Sequence, residues 1–390
     1  MSYINEADWR RCTGCGQCLS RCPVMRMSEK EAQAAIRGLI QGEEVPRVFD
    51  ECAYCFNCNR YCPVEGLRPH ELILSRTLER RGRVPTLFTY LSNGLDAQNL
   101  FSDLYESLTL QENQILDRWS EPPKAAKEIL WVGCIGKMSC LDLDRSRVLA
   151  SLPKFGPRDI CCGEIAYRLG SFQMYAQTIE KTLDRFKNLD IERMVCYCGS
   201  CYNYLSNILP KVYGKKLPFQ LTSLYQWMWE KVEKGELALK SPRRFKAAIH
   251  ESCYVSELEP EFAETLRLLY AASGVDVVEL AHRGDENLSC GAVSIVRNLN
   301  PFKSMVKEQM RKYREADQAG VKEIAVNCPG CFITLSFSRP FVGKGLRYMP
   351  DELLAAYGDD ITRPLSTRMG VIMKSFARRF PGLLLQSLRR

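Results

Sequence analysis

Beyond residue 128, short apolar runs alternate with amphipathic stretches. Ile129-Leu130-Trp131-Val132-Gly133 reads as a buried strand that runs into Cys134. Similar runs occur at Arg193-Met194-Val195-Cys196, Ala247-Ala248-Ile249-His250, Val275 to Leu280 and Glu323 to Asn327. Helical periodicity fills the intervals, as from Tyr175 to Leu189 and from Pro260 to Ser273. Strands alternating with helices predict an α/β core. The N-terminal part is helical instead. Ser28 is placed to N-cap a helix over 29–36, with Glu31 at the capping-box position and Gly38 near its end. A second helix over 71–78 follows Pro69. Apolar residues recur irregularly from Leu95 to Leu116, and Pro122-Pro123 closes this stretch. The expected organisation is a helical unit over 1–82, a helical connector over 83–127, two α/β units over 128–245 and 246–350, and a C-terminal tail over 351–390.

Composition fits a globular chain of two or three domains: 390 residues, 46% hydrophobic and 26% charged. The 19 cysteines change the picture. Disulfide frameworks belong to small secreted domains. The polar start Met1-Ser2-Tyr3-Ile4-Asn5-Glu6 does not read as a signal peptide. No run of ~18 apolar residues predicts a membrane span. A reducing cytoplasm, that of an anaerobe, is the expected compartment.

Eight cysteines form two matching runs, Cys12-x-x-Cys15-x-x-Cys18-x-x-x-Cys22-Pro23 and Cys52-x-x-Cys55-x-x-Cys58-x-x-x-Cys62-Pro63. This is the spacing of a bacterial-type ferredoxin with two [4Fe–4S] clusters, in which the fourth cysteine of each run ligates the other cluster. Crossed ligation follows: Cys12, Cys15, Cys18 and Cys62 on one cubane, and Cys52, Cys55, Cys58 and Cys22 on the other. The doubled pattern argues against a disulfide or zinc array. The chain carries electrons.

A longer cysteine pattern occurs twice in the C-terminal half. One copy has Cys134, then Cys161-Cys162-Gly163, then Cys198-Gly199-Ser200-Cys201. The other has Cys253, then Ser289-Cys290-Gly291, then Cys328-Pro329-Gly330-Cys331. The intervals nearly coincide, and a strand is expected before the first cysteine and before each C-x-x-C. Two registers of a three-part pattern indicate an internal duplication whose strand ends bind metal.

This pattern resembles the CCG domain of heterodisulfide reductase, as found in its HdrB-type component. An N-terminal two-cluster module fused to two CCG repeats resembles the HdrD type, which combines the HdrC and HdrB types in one chain. Cys161-Cys162-Gly163-Glu164 followed by Arg168-Leu169-Gly170, and His250-Glu251-Ser252-Cys253-Tyr254, carry the same likeness. The resemblance implies a noncubane [4Fe–4S] cluster on Cys134, Cys161, Cys162, Cys198 and Cys201. It also implies a redox complex in which a flavoprotein or iron–sulfur subunit supplies electrons. Related CCG proteins serve glycolate-, lactate- and glycerol-3-phosphate-oxidising complexes and benzoyl-CoA reductase-type assemblies, the latter as a non-catalytic relay. The second copy departs from the family, because Ser289 replaces a cysteine. Serine is a hard ligand and a poor substitute for thiolate on iron. Cys253, Cys290, Cys328 and Cys331 are then expected to hold a conventional fourth [4Fe–4S] cluster or none. That weakens any mechanism needing two noncubane clusters, disulfide cleavage above all.

These assignments alter the meaning of the formal charge of +8. With seventeen cysteines bound as thiolates to four clusters of roughly +2 core charge, the total falls to roughly −1. Basic side chains then offset anionic clusters, and nucleic acid is not an expected partner. Cys140 and Cys196 lie outside the ligand sets and read as buried thiols. Of the three histidines, His70, His250 and His282, His250 precedes Cys253 closely enough to tune or protonate a site there, or to form a structural hydrogen bond. No dinucleotide or P-loop fingerprint is present, so electrons must come from a partner. Ile372 to Phe380 repeats apolar positions at helical spacing with a basic face, followed by Pro381-Gly382-Leu383-Leu384-Leu385. A docking helix for a partner subunit is the first reading. A packed or solvated tail and a peripheral membrane contact are the others.

Overall fold

The computed structural model describes residues 9–82, 86–92, 98–124, 126–297 and 301–389. Within the two cysteine runs, the chain turns into the short helices Gln17–Ser20 and Asn57–Tyr61. Folding three thiols inward over so few residues needs left-handed backbone. The first run supplies Gly14 (φ 67°) and Gly16 (φ 75°) there, whereas the second uses Tyr54 (φ 52°) and Phe56 (φ 68°). Bulky residues in this region are strained, typically by 1–3 kcal/mol. Both side chains are completely buried, and the Tyr54 hydroxyl meets Thr77 Oγ1 at 3.0 Å, so packing holds them in place. In each run an amide reaches back to the first sulfur: Gly14 N–H donates to Cys12 and Tyr54 N–H to Cys52, both at 3.4 Å.

Two longer helices close this unit. Glu29–Gln41 starts at Ser28, whose hydroxyl accepts from Glu31 N–H, as the sequence predicts. It runs through Gly38 and stops at Gly42 instead, where φ is 78°. Pro69–Arg81 begins on the expected proline and ends at Gly82. Leu19, Ile36, Leu39, Val48, Ile73 and Leu74 fill the core between them.

The remainder contains two sheets of identical topology. The first has β1 (Glu128–Trp131), β2 (Lys154–Phe155), β3 (Arg193–Cys196) and β4 (Gln220–Ser223), in spatial order β2-β1-β3-β4. The second has β5 (Lys246–His250), β6 (Asp276–Val278), β7 (Glu323–Val326) and β8 (Gly345–Tyr348), in order β6-β5-β7-β8. All pairings are parallel. The centre strands β1, β3, β5 and β7 are buried beyond their first residue, which is why they read as apolar runs. Strand order reverses between β1 and β3, and between β5 and β7. The crevice beyond the carboxyl ends at such a switch point is where open α/β sheets bind ligands. Cys134, Cys198 and Cys201 stand there in the first sheet, and Cys253, Cys328 and Cys331 in the second.

The C-terminal stretch is the helix Leu365–Arg389, and it docks on its own chain. It packs on the connector helices Thr86–Leu91 and Leu100–Glu106. Ile372 is buried, Phe376 meets Phe337 edge-on at 5.9 Å, and Arg379 pairs with Asp103 at 3.2 Å. The apolar stripe that suggests a partner therefore has an intramolecular receptor. Side chains beyond Arg379 that bear on the Leu383–Leu385 segment lie outside the described residues. Among the described residues, no helix is long and apolar enough to cross a membrane.

Candidate metal centres

The structure gathers the seventeen sequence-predicted cysteines into four groups. In the N-terminal unit the groups are crossed. Burial pushes the Cys18 thiol up, and Cys62, Cys12 and Cys15 add to the effect. Cys52 is pushed up to about 12 by burial and then by Cys22. Burial and Cys22 likewise raise Cys55, and burial with Cys52, Cys55, Cys18 and Cys22 raises Cys58, so the two groups are neighbours. Cys62 stands near Cys12 and Cys15. Cys12, Cys15 and Cys62 are half-buried, whereas Cys52 and Cys55 are buried.

The first cysteine-rich site is a continuous string of thiols. Cys134 and Cys162 both reach Cys161, and their hydrogen bonds lower its pKa well below the usual thiol range. Cys162 and Cys198 do the same for Cys201, which falls to about 5. The indole N–H of Trp131, at the end of β1, also reaches Cys201. Gly163 is required beside the cysteine pair. Its φ is 75°, and a Cβ there would lie 2.6 Å from the Tyr175 ring. Gly163→Ala is expected to cost about 2 kcal/mol or more, from backbone strain alone before the clash. Thermal unfolding of the two proteins checks this.

Three charged residues surround this site: Glu164 and Arg168 belong to the phrase that carries the family likeness, whereas Lys137 has no signal in the sequence. Lys137 is fully buried with its ammonium on the Pro157 carbonyl. Burial brings it down to about 8, against the pull of Cys134 and Cys161. Glu164, raised by burial, pairs with Arg168 at 2.7 Å. Arg168 is buried, and its Nε and Nη2 have no hydrogen-bond partner among the described residues. Burial opposes its charge, but Cys253, Glu164, Tyr204 and Cys290 outweigh that and hold the guanidinium above its usual pKa. Arg168 thus comes from the first repeat and faces the thiols of the second. Arg168→Gln is expected to lower the reduction potential of a centre held at Cys253 and Cys290, because a cation favours the more negative, reduced state. Redox titration at unchanged iron content measures it.

The second site brings together Cys253, Cys290, Cys328 and Cys331, all buried. Cys331 hydrogen-bonds both Cys290 and Cys328. Ser289 does not join them. Its hydroxyl donates to the Ala53 carbonyl at 2.9 Å and accepts from Gly291 N–H at 3.1 Å. That bond ties the second repeat to the second cysteine run, as do Asn57 to the Asn287 carbonyl at 2.9 Å and Arg297 to the Cys52 carbonyl at 2.6 Å. Cys55 and Cys253 are close enough to influence each other. On the far side, Ser200 Oγ and Cys328 Sγ are 3.5 Å apart. The serine-bearing site therefore lies between the N-terminal unit and the first cysteine-rich site, an order that the sequence does not reveal.

A buried salt-bridge network fixes this arrangement. Arg68 binds Glu71 and Glu257, each at 2.7 Å, and Tyr167 donates to Glu71 at 2.7 Å. The three units meet at these four side chains. Over the first site lies an apolar cavity of about 160 Å³, floored by Cys134, Cys161, Cys162, Cys198 and Cys201. Leu100, Phe101 and Leu104 of the connector and Ile372 of the C-terminal helix cover it.

The donor sets suit iron–sulfur clusters. All these cysteines are free thiols, collected in fours and a five, and such soft donors select iron–sulfur or related metals. Thiols raised by burial and by one another need a cation to exist as thiolates. Cys140 and Cys196 stay outside the groups, Cys140 facing the Glu112 carbonyl at 4.0 Å.

Fold and site define an iron–sulfur protein with a two-cluster unit and a duplicated α/β cysteine-rich unit. Family models agree: a 4Fe-4S dicluster domain matches residues 8–66, and a cysteine-rich domain, CCG, matches 130–206 and 247–336. In combining these two kinds of domain, the chain is similar to heterodisulfide reductase proteins of the HdrD type. It is similar to the HdrD protein of the dihydromethanophenazine:CoB–CoM heterodisulfide reductase of Methanosarcina barkeri, 21% identical over 87% of this chain and 91% of that one. An uncharacterized iron–sulfur protein of Methanocaldococcus jannaschii is 22% identical, over 84% of this chain and 68% of its own. The EtfAB:quinone oxidoreductase of Syntrophomonas wolfei is 23% identical over 80% of this chain, which spans only 47% of that relative.

Proposed function

We propose that the chain is the electron-transfer subunit of a multi-subunit oxidoreductase complex of the heterodisulfide reductase type. In this reading it holds cubane clusters on Cys12, Cys15, Cys18 and Cys62 and on Cys22, Cys52, Cys55 and Cys58. A noncubane cluster belongs to Cys134, Cys161, Cys162, Cys198 and Cys201, and a fourth cluster to Cys253, Cys290, Cys328 and Cys331. Such clusters accept and release electrons one at a time. The observation that carries the reading is the contiguity of the four thiol groups. They lead from half-buried Cys12, Cys15 and Cys62, past Cys55 and Cys253, past Cys328 and Ser200, to the apolar cavity. The protein's part is to keep these groups adjacent, to exclude water with the connector and C-terminal helix, and to offset thiolate charge with Lys137 and Arg168.

Electrons enter at residues 12–62 from a flavoprotein or iron–sulfur partner, and the first cysteine-rich site delivers them. A relay role, as in a benzoyl-CoA reductase-type assembly, is favoured over disulfide cleavage by one feature. The Ser289 hydroxyl is committed elsewhere, so a pair of matching noncubane clusters has no ligand set. The test is anaerobic purification, with iron analysis and heterodisulfide reduction from an artificial donor. Roughly sixteen iron atoms per chain, at four per cluster, and little heterodisulfide turnover are expected. A protein without reducible iron defeats the whole reading, and rapid heterodisulfide turnover defeats the relay.

A further inference from the structure

Two of the differences between the cysteine-rich sites are reciprocal. At one, the first repeat has Cys161 and the second Ser289, whose hydroxyl is engaged by Ala53 and Gly291. The other is found only by superposing the strand registers. Trp131 ends β1 opposite Cys196 of β3, and His250 ends β5 opposite Val326 of β7. Cys198 and Cys328 follow those partners by the same two residues. Trp131 and His250 therefore hold equivalent places, each three residues before the leading cysteine of its site.

Their chemistry is not equivalent. The indole N–H of Trp131 can only donate, and it faces Cys201 without a well-formed hydrogen bond. A neutral imidazole has a lone pair and is a good ligand for iron. His250 is 0% exposed, and neither ring nitrogen makes a well-formed hydrogen bond among the described residues. A buried polar group left so is costly and demands a partner. One nitrogen of His250 and the sulfurs of Cys290 and Cys331 all lie within 4.8 Å of one another. The repeat that lost a thiolate has thus gained an imidazole at the same site.

We propose that His250 is a ligand of the centre held at the second site, which then has five protein donors: Cys253, Cys290, Cys328, Cys331 and the His250 imidazole. This rests on the reading that a fourth iron–sulfur cluster is bound there. Replacing an anionic donor by a neutral one makes a centre easier to reduce, as histidine ligation does in Rieske clusters. The buried Arg168 guanidinium acts in the same direction. Both suit a centre that takes electrons from the N-terminal unit and passes them inward.

The test uses the whole holoprotein, purified anaerobically with ¹⁵N-labelled histidine, reduced and examined by pulsed EPR. A strong ¹⁵N hyperfine coupling of directly bound imidazole is expected on one cluster. In His250→Gln that coupling should vanish while the N-terminal cluster signals persist. His250→Cys should retain full iron, lose the nitrogen coupling and show a lower midpoint potential for this centre. Only the weak coupling of a hydrogen-bonded nitrogen in the wild type would overturn the inference, as would a strong coupling that survives in His250→Gln. An iron content of about twelve rather than sixteen atoms per chain would overturn it too, by removing the fourth cluster itself. Iron analysis separates that failure from a failure of histidine ligation.

Discussion

Cys162→Ala is expected to abolish the centre at the first cysteine-rich site while the other three remain. Cys162 is the middle link of the thiol string, in contact with both Cys161 and Cys201. Without it, the remaining Cys134, Cys161, Cys198 and Cys201, though still near one another, lack the thiol that hydrogen-bonds both halves, and a five-thiolate noncubane cluster has no ligand set. Iron should fall by about four atoms per chain. Electron uptake should fall correspondingly, with the N-terminal signals intact, because Arg68, Glu71, Glu257 and Tyr167 still join the units. Cys140→Ala is the control. Its buried thiol belongs to no group, so its iron content should equal that of the wild type. Full iron in Cys162→Ala would remove the cysteine pair from the ligand set.

Much of this architecture is legible in the chain because it is repetitive. The two ferredoxin-type runs fix their own spacing, and β1, β3, β5 and β7 announce themselves as apolar runs because they are central. The edges are less visible. β2 has two residues, β4 begins with an exposed glutamine, and β8 alternates buried with half-buried positions, so none stands out from neighbouring turns. The run at Val275 to Leu280 suggests a longer strand than β6, since only Asp276–Val278 pair with β5.

What a sequence cannot display is which groups meet across distance. Nothing near Arg168 indicates that it faces Cys253, more than eighty positions away. Nothing in the C-terminal helix indicates that its receptor is the connector. Ser289 is visible as a missing thiolate, but its hydrogen bond to Ala53 is not. The equivalence of Trp131 and His250 depends on register, which is a property of paired strands and not of either alone.

Cys22→Ala is expected to damage the wrong cluster, judged by sequence proximity. Cys22 follows the helix Gln17–Ser20, and it is the leading thiol neighbour of Cys52 and Cys55. Cys62 makes the reciprocal crossing to Cys12 and Cys15. The EPR signal of the cubane on Cys52, Cys55 and Cys58 should therefore be lost or converted in Cys22→Ala, and that on Cys12, Cys15 and Cys18 in Cys62→Ala. The two variants should also fail differently in electron transfer. Cys62→Ala impairs the half-buried outer group, so reduction by an external donor should be slow at every centre. Cys22→Ala impairs the group that touches Cys253. Rapid-mixing reduction should then fill the outer cubane at the wild-type rate while both cysteine-rich sites lag. Loss of the outer signal in Cys22→Ala would mean that each run ligates its own cluster, and the crossed arrangement would have to be abandoned.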